Sequence, residues 1–150
     1  MSHSYRNALP QEKGKALEEL PSPDCFRTME GCVEDYCPGT SLSVSFPVKE
    51  SYLNPAKTMQ GGFITAAFDN VFGPFCLLES GTPATTTIDI NTTYHRPIMP
   101  GDTLRVTAFL KSKGKTKIHM TADAYNSEGK LVASATSTYI YLNGSRAAGK

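Results

Sequence analysis

Asp69 is the one charged residue between Lys57 and Glu79, and it stands in the middle of the most apolar stretch of the chain. A carboxylate there is costly to bury unless it is paired or hydrogen-bonded. It can be a satisfied structural charge, held at a helix N-terminus or shown to solvent on a thin polar stripe with Asn70. It can equally be a general base or nucleophile poised by apolar surroundings. Upstream, Gln60-Gly61-Gly62 sits where a helix should begin. Paired glycines let backbone approach a ligand closely, and the first N–H groups of a helix have no internal partners. Aided by the helix dipole, such groups can hold negative charge developing on a carbonyl oxygen. A glycine pair before a helix is also what an ordinary tight turn uses.

Asp69 follows Gly61 by eight residues, which is about 12 Å along a straight helix. From one straight helix the two cannot serve the same carbonyl. If both belong to one site, a second subunit has to supply one of them.

The other reactive side chains suggest less. Cys25, Cys32, Cys37 and Cys76 form no C-x-x-C pair, and His3, His95 and His119 lie far from them. No metal site is expected, and reduced thiols in a cytoplasmic protein are the economical reading. His95 and His119 read as surface or strand residues, and Tyr94 as a packed strand residue. Lys111, Lys113, Lys115 and Lys117 alternate through a turn, and Arg96 follows the strand bearing Thr87. Any of these cations could neutralise phosphates, although a solvated hairpin is the simpler account of the lysines.

The elements that must position these groups follow from the hydrophobic pattern. In Met59–Ser80 the apolar residues cover nearly every face of a helix, so that helix should be buried on all sides. In a chain this small, a sheet curled around it has to supply the cover. Pro74, after Gly73, should kink or interrupt the helix near its end. Upstream, Cys25 to Val48 reads as strand broken by Cys37-Pro38-Gly39, with Leu42, Val44 and Phe46 alternating with polar neighbours. Downstream, Leu104, Val106, Ala108 and Leu110 alternate, as do Ile118, Met120, Ala122 and Ala124, and Leu131–Leu142 supplies a last strand. Pro100-Gly101-Asp102, Gly114 and Asn126–Gly129 mark the turns. The order is strands, one buried helix, then about four antiparallel strands: an α+β layer architecture.

At 150 residues the chain has the size of one domain, and 39% hydrophobic with 19% charged residues suits a soluble protein with a real core. Fifteen Lys and Arg against fourteen Asp and Glu, a net charge of +1, argue against duplex nucleic acid as a partner. Met1 to Pro23 is polar with charges of both signs, so neither a secretory signal nor a membrane anchor is expected. Residues 1–24 read as an extension with a short helix over 11–20, ended by Pro21-Ser22-Pro23. The domain then runs over 25–142, and 143–150 reads as a flexible tail.

The stretch NPAKTMQGGFITAAFDNVFG, with TIDINTTYHRPIMPGDTLRV and KTKIHMTADAYNSEGKLVASAT downstream, resembles the hot-dog-fold thioesterases of the phenylacetyl-CoA thioesterase (PaaI-like) type. The likeness spans roughly residues 42–142. It implies a hot-dog fold, an antiparallel sheet of about five to six strands wrapped around one long helix. It also implies a homodimer or homotetramer whose active sites lie between subunits, which would remove the distance problem. By resemblance, Asp69 activates water or attacks a thioester carbonyl, and the Gly61 N–H polarises that carbonyl. Asn54 would sit beside the carbonyl or the water, and Thr87 would help hold the water. Gly62, Arg96, Lys113 and Lys115 are the candidates for binding the acyl-CoA substrate, and no cofactor is implied beyond the CoA of the substrate. One departure stands out. These thioesterases usually carry His before the paired glycines, where this chain has Gln60, which cannot titrate but can brace the loop by hydrogen bonds. A non-catalytic acyl-CoA-binding module on the same fold is the alternative. A hot-dog dehydratase or hydratase is disfavoured, because no histidine lies in or beside the helix segment.

Overall fold

Six strands and one long helix account for most of the chain between residues 22 and 142, the residues described by the structure, a computed structural model. The helix expected over 11–20 and the C-terminal tail lie outside the described residues. Helix α1 (Asp24–Thr28) precedes strands β1 (Cys32–Cys37) and β2 (Ser41–Pro47). A single 3-10 turn, Glu50–Tyr52, leads to helix α2 (Gly61–Ser80), and β3 (Thr85–Tyr94), β4 (Thr103–Lys113), β5 (Lys117–Tyr125) and β6 (Leu131–Tyr141) follow.

All strand pairs are antiparallel and form one sheet in the order β1-β2-β4-β5-β6-β3. The sheet wraps α2, which gives the expected hot-dog fold with six strands. The inward positions across the sheet centre include Ala108, Ala122, Ala124, Ala133 and Ala135, all buried. Those small side chains leave depth for Phe68, Phe72 and Phe75 of α2, which are fully buried. Each such ring contributes roughly 1.5–3 kcal/mol by leaving water.

The structure corrects the sequence reading at three places. Residues 24–28 are helical rather than the start of a strand. Pro23 precedes that helix with φ near −68°, Asp24 opens it and pairs with Arg27, and Phe26 is buried against Phe46. Proline and an acidic residue at the start are helix signals that outweigh the local apolar pattern.

Pro74 does not interrupt the helix, which continues to Ser80. Proline costs a helix interior about 3 kcal/mol. Val71, Phe72, Phe75 and Cys76 are fully buried on both sides of it, and together they outweigh that cost.

The helix is also not covered all round. Gly62 and Asp69 are exposed, while Ala66, Gly73 and Leu77 are half-buried. Their three- and four-residue spacing puts them on one face, and that face is left open by the sheet of a single chain.

Candidate active site

The start of α2 is held by its surroundings rather than by a capping side chain. Gln60 occupies the N-cap in extended conformation, and its side chain makes no capping hydrogen bond. Its backbone N–H donates to Tyr52 O at 2.8 Å, that of Met59 donates to Ile98 O at 3.0 Å, and the Tyr52 ring stacks on Phe63 at 4.6 Å. Phe63 and Ile64 begin the helical ladder by donating to Gln60 O at 3.0 and 3.1 Å. The N–H groups of Gly61 and Gly62 precede that ladder, at the positive end of a 20-residue helix.

Tyr94 shapes this junction. Its hydroxyl donates to Gly61 O at 2.7 Å and lies 2.7 Å from Thr65 Oγ1. The expectation of a packed strand residue therefore understates it. A groove of about 400 Å³ opens here, lined by Asn54, Thr58, Gly61, Tyr94, His95 and Arg96 among others.

Asn54 is braced within its own turn. Its Oδ1 accepts from the Thr58 N–H at 3.1 Å and its Nδ2 donates to Thr58 Oγ1 at 3.0 Å.

Asp69 lies two turns along the helix, on the open face. A second cavity of about 360 Å³ lies beside it, lined by Pro23, Cys25, Ala66, Gly73, Pro74 and Leu77, with Asp69 and Asn70 as its polar part. Desolvation by these neighbours pushes the Asp69 carboxyl above the usual carboxylate range, and a hydrogen bond from Tyr139 partly opposes this. The Tyr139 hydroxyl lies 3.5 Å from Asp69 Oδ1. Thr87 is the cross-strand partner of Tyr139, and its hydroxyl bears on the same phenol.

The candidates thus fall into two groups within one chain. Gly61, Gly62, Gln60, Asn54 and Arg96 gather at the start of α2, whereas Asp69 and Thr87 gather halfway along it. Lys113 and Lys115 join neither. Lys113 Nζ donates to Glu79 O at 3.2 Å, at the far end of α2, some 18 residues or about 27 Å from Gly61. Lys111, Lys113, Lys115 and Lys117 are exposed on the β4–β5 hairpin. Arg96 donates to Leu131 O at 3.0 Å and borders the groove at Gly61. His95 and His119 bond Ser134 and Thr138 across the sheet, as the strand reading has it.

A family model described as Thioesterase superfamily matches residues 56–133, which hold Gly61, Asp69 and Thr87. The chain belongs to this superfamily of thioester hydrolases. Among its relatives is acyl-coenzyme A thioesterase 13. The human protein is 32% identical over 61% of this chain, which spans 66% of that protein's length. The mouse protein is 31% identical over 85% of this chain and 91% of its own length. Among solved structures, a phenylacetic acid degradation-related putative thioesterase of Ralstonia eutropha superposes with a TM-score of 0.74 at 29% identity, covering 85% of this chain and 97% of that one. The E. coli PaaI protein from the phenylacetic acid degradation operon shares the fold at a TM-score of 0.75 and 20% identity, over 96% and 97% of the two chains.

Two functional candidates escape the sequence reading, Tyr94 in its contact with Gly61 and Tyr139. Tyr139 follows Ala135 and Ser137 on the inward face of β6.

Proposed function

We propose that the chain hydrolyses acyl-CoA thioesters as a homodimer or a dimer of dimers, with each active site shared between two protomers. The Gly61 N–H of one protomer holds the thioester carbonyl oxygen. Asp69 of the other takes a proton from water, or attacks the carbonyl carbon directly. Charge gathers on the oxygen at the helix start as water adds to the carbonyl carbon, the C–S bond breaks, and the proton held by Asp69 passes to the CoA sulfur to leave a free acid. In direct attack the acyl group passes to Asp69 as an anhydride, which a water then hydrolyses to the free acid and the carboxylate. This chemistry uses the Asp69 side chain, a backbone N–H and water.

In this reading Asn54 stiffens the loop beside the carbonyl, Thr87 lies near the water, and Gln60 braces the turn. Arg96 is the candidate for CoA phosphate, since it borders the groove at Gly61. Lys113 and Lys115 are left to the solvated hairpin. The apolar cavity beside Asp69 is suited to the acyl group.

One observation carries the proposal. A cavity at a desolvated carboxylate and a groove at free N–H donors lie on one helix, too far apart for one substrate carbonyl and joined by an open face. Among the described residues the outer edge of β3 is unpaired, with Ile88 54% and Tyr94 50% exposed, which supports pairing with a second copy.

The test is free thiol release from a panel of alkyl and aryl CoA thioesters. Turnover of at least one is expected. Tight binding with no turnover of any would make the chain the non-catalytic acyl-CoA-binding module instead.

A further inference from the structure

The residue nearest the Asp69 carboxylate from the sheet is buried, polar and unassigned. Tyr139 is 6% exposed, and its hydroxyl is the group within reach of Asp69 Oδ1, at 3.5 Å. Three features converge to place it. Gly73, one turn beyond Asp69, lies alongside the phenol, where a Cβ would meet the Tyr139 hydroxyl in ordinary van der Waals contact at 3.6 Å. Thr87 faces Tyr139 across the β3–β6 pair. Immediately after Thr87 the register shifts, so that the inward-facing positions change from Thr85 and Thr87 to Ile90 and Thr92. Such a bulge re-aims side chains locally, and here it ends the stretch in which Thr87 and Tyr139 share a face.

We infer that Tyr139 is a positioning residue for the hydrolytic carboxylate: its hydroxyl donates to Asp69 Oδ1, with the Thr87 hydroxyl orienting the phenol from the other side. A phenol has one proton to give. Asp69 Oδ1, at 3.5 Å, is the acceptor in reach of that proton. The donated bond fixes one carboxylate oxygen and leaves Oδ2 for the water or the carbonyl carbon. It also favours the ionised form that a base requires, against the burial that disfavours it.

Burial, followed by the nearby Asp69 charge, holds the phenol itself far above its ordinary range despite Thr87, so Tyr139 stays protonated and a donor. The other titratable groups around the pair are thiols: Cys25 of α1 lines the cavity at Asp69, and Cys76 of α2 faces Tyr139. Burial raises Cys76 as well, which keeps it neutral where Asp69 works.

The inference rests on Asp69 being the working carboxylate, and the test separates the two ideas. The pH dependence of kcat/KM is measured for wild type, Tyr139→Phe, Asp69→Asn and the double variant. Tyr139→Phe should lower the plateau of kcat/KM by roughly threefold or more, because the carboxylate loses its fixed orientation, and should also move the acid limb to higher pH. In the Asp69→Asn background the same change should cost nothing further. A lost shape without a lost bond would lower the whole profile and leave the limb in place.

If Asp69→Asn abolishes turnover while the limb of Tyr139→Phe does not move, the positioning role is wrong and the catalytic reading stands. If Asp69→Asn turns over normally, both fail. Should Tyr139→Phe not fold, 3,5-difluorotyrosine at 139 keeps the ring and strengthens the donor, and the limb should then move to lower pH. An unmoved limb in that protein overturns the inference equally.

Discussion

The ring of Tyr94 stands where a side chain on Gly61 would begin: a Cβ at residue 61 would lie 2.8 Å from Tyr94 Cζ. The same ring sends its hydroxyl back to Gly61 O. Tyr94 therefore holds the peptide that follows Gly61, next to the N–H proposed to hold the thioester oxygen, and a side chain at 61 would have to displace the ring. Gly61→Ala should lower kcat by roughly 100-fold, within the range of losing an oxyanion donor, because the methyl group displaces the Tyr94 ring and breaks its hydrogen bond beside the donor. Tyr94→Ala gives the methyl group its space. The double variant should be better than the sum of the two losses, a coupling visible in a double-mutant cycle of kcat/KM. Strictly additive losses would show that the two residues act apart.

Asp69→Asn bears on catalysis and on stability at once. A positioned general base contributes about 10²–10⁴-fold, so kcat should fall by at least roughly 100-fold. Stability should move the other way. The folded-state pKa of Asp69 is raised by burial, so the fold favours its protonated form. Its contribution is fully present below the unfolded pKa and is lost as pH rises through the folded value. At pH 7 the ionised group is therefore a burden, and Asp69→Asn should melt at the same temperature as wild type or higher. The difference should shrink as the pH is lowered through the carboxylate range. Thermal unfolding across pH on the assayed preparation checks this, and a lower melting temperature for the Asn variant at pH 7 contradicts it.

Gln60 is exposed at the N-cap and makes no capping bond, so its side chain is free to be exchanged. Its Oε1 would lie 3.5 Å from a Cβ built on Gly62, so the amide lies beside the paired glycines. Gln60→His should leave kcat/KM equal or higher, and Gln60→Ala should lower it modestly, by about threefold if one neutral hydrogen bond is lost. Complete loss in the His variant would reveal a specific role for the amide.

Much of this architecture is legible in residue order because one period dominates each element. Leu42, Val44 and Phe46 alternate, as do Ile118, Met120, Ala122 and Ala124, and all of them are buried as that alternation requires. The all-round apolar pattern of α2 was harder to read. It reflects two kinds of cover, the chain's own sheet on most sides and an open stripe through Ala66, Asp69, Gly73 and Leu77. Hydrophobicity alone does not distinguish a face buried by the same chain from one left for another molecule. The Asp69 and Gly61 pair could be picked out because charge and glycine are conspicuous in apolar sequence. Tyr94 and Tyr139 could not, since their contacts with Gly61 and Asp69 depend on strand register and a bulge that no local pattern announces.

The shared-site arrangement makes a quantitative prediction about mixtures. Asp69→Asn lacks the carboxylate and keeps the N–H donors, while Gly61→Ala keeps the carboxylate and displaces the donors. Each homodimer is then inactive at both sites. A heterodimer of the two has one site with both defects and one with neither. Random exchange at equal concentrations puts about half of the dimers in the mixed form, each with one intact site out of two. Unfolding and refolding the two variants together should restore about a quarter of wild-type turnover, whereas refolding each alone should restore none. The recovered activity should track the fraction of mixed species seen by native mass spectrometry. A site contained within one protomer predicts no recovery at any mixing ratio, and light scattering that finds the wild-type activity in a monomer would exclude the shared site directly.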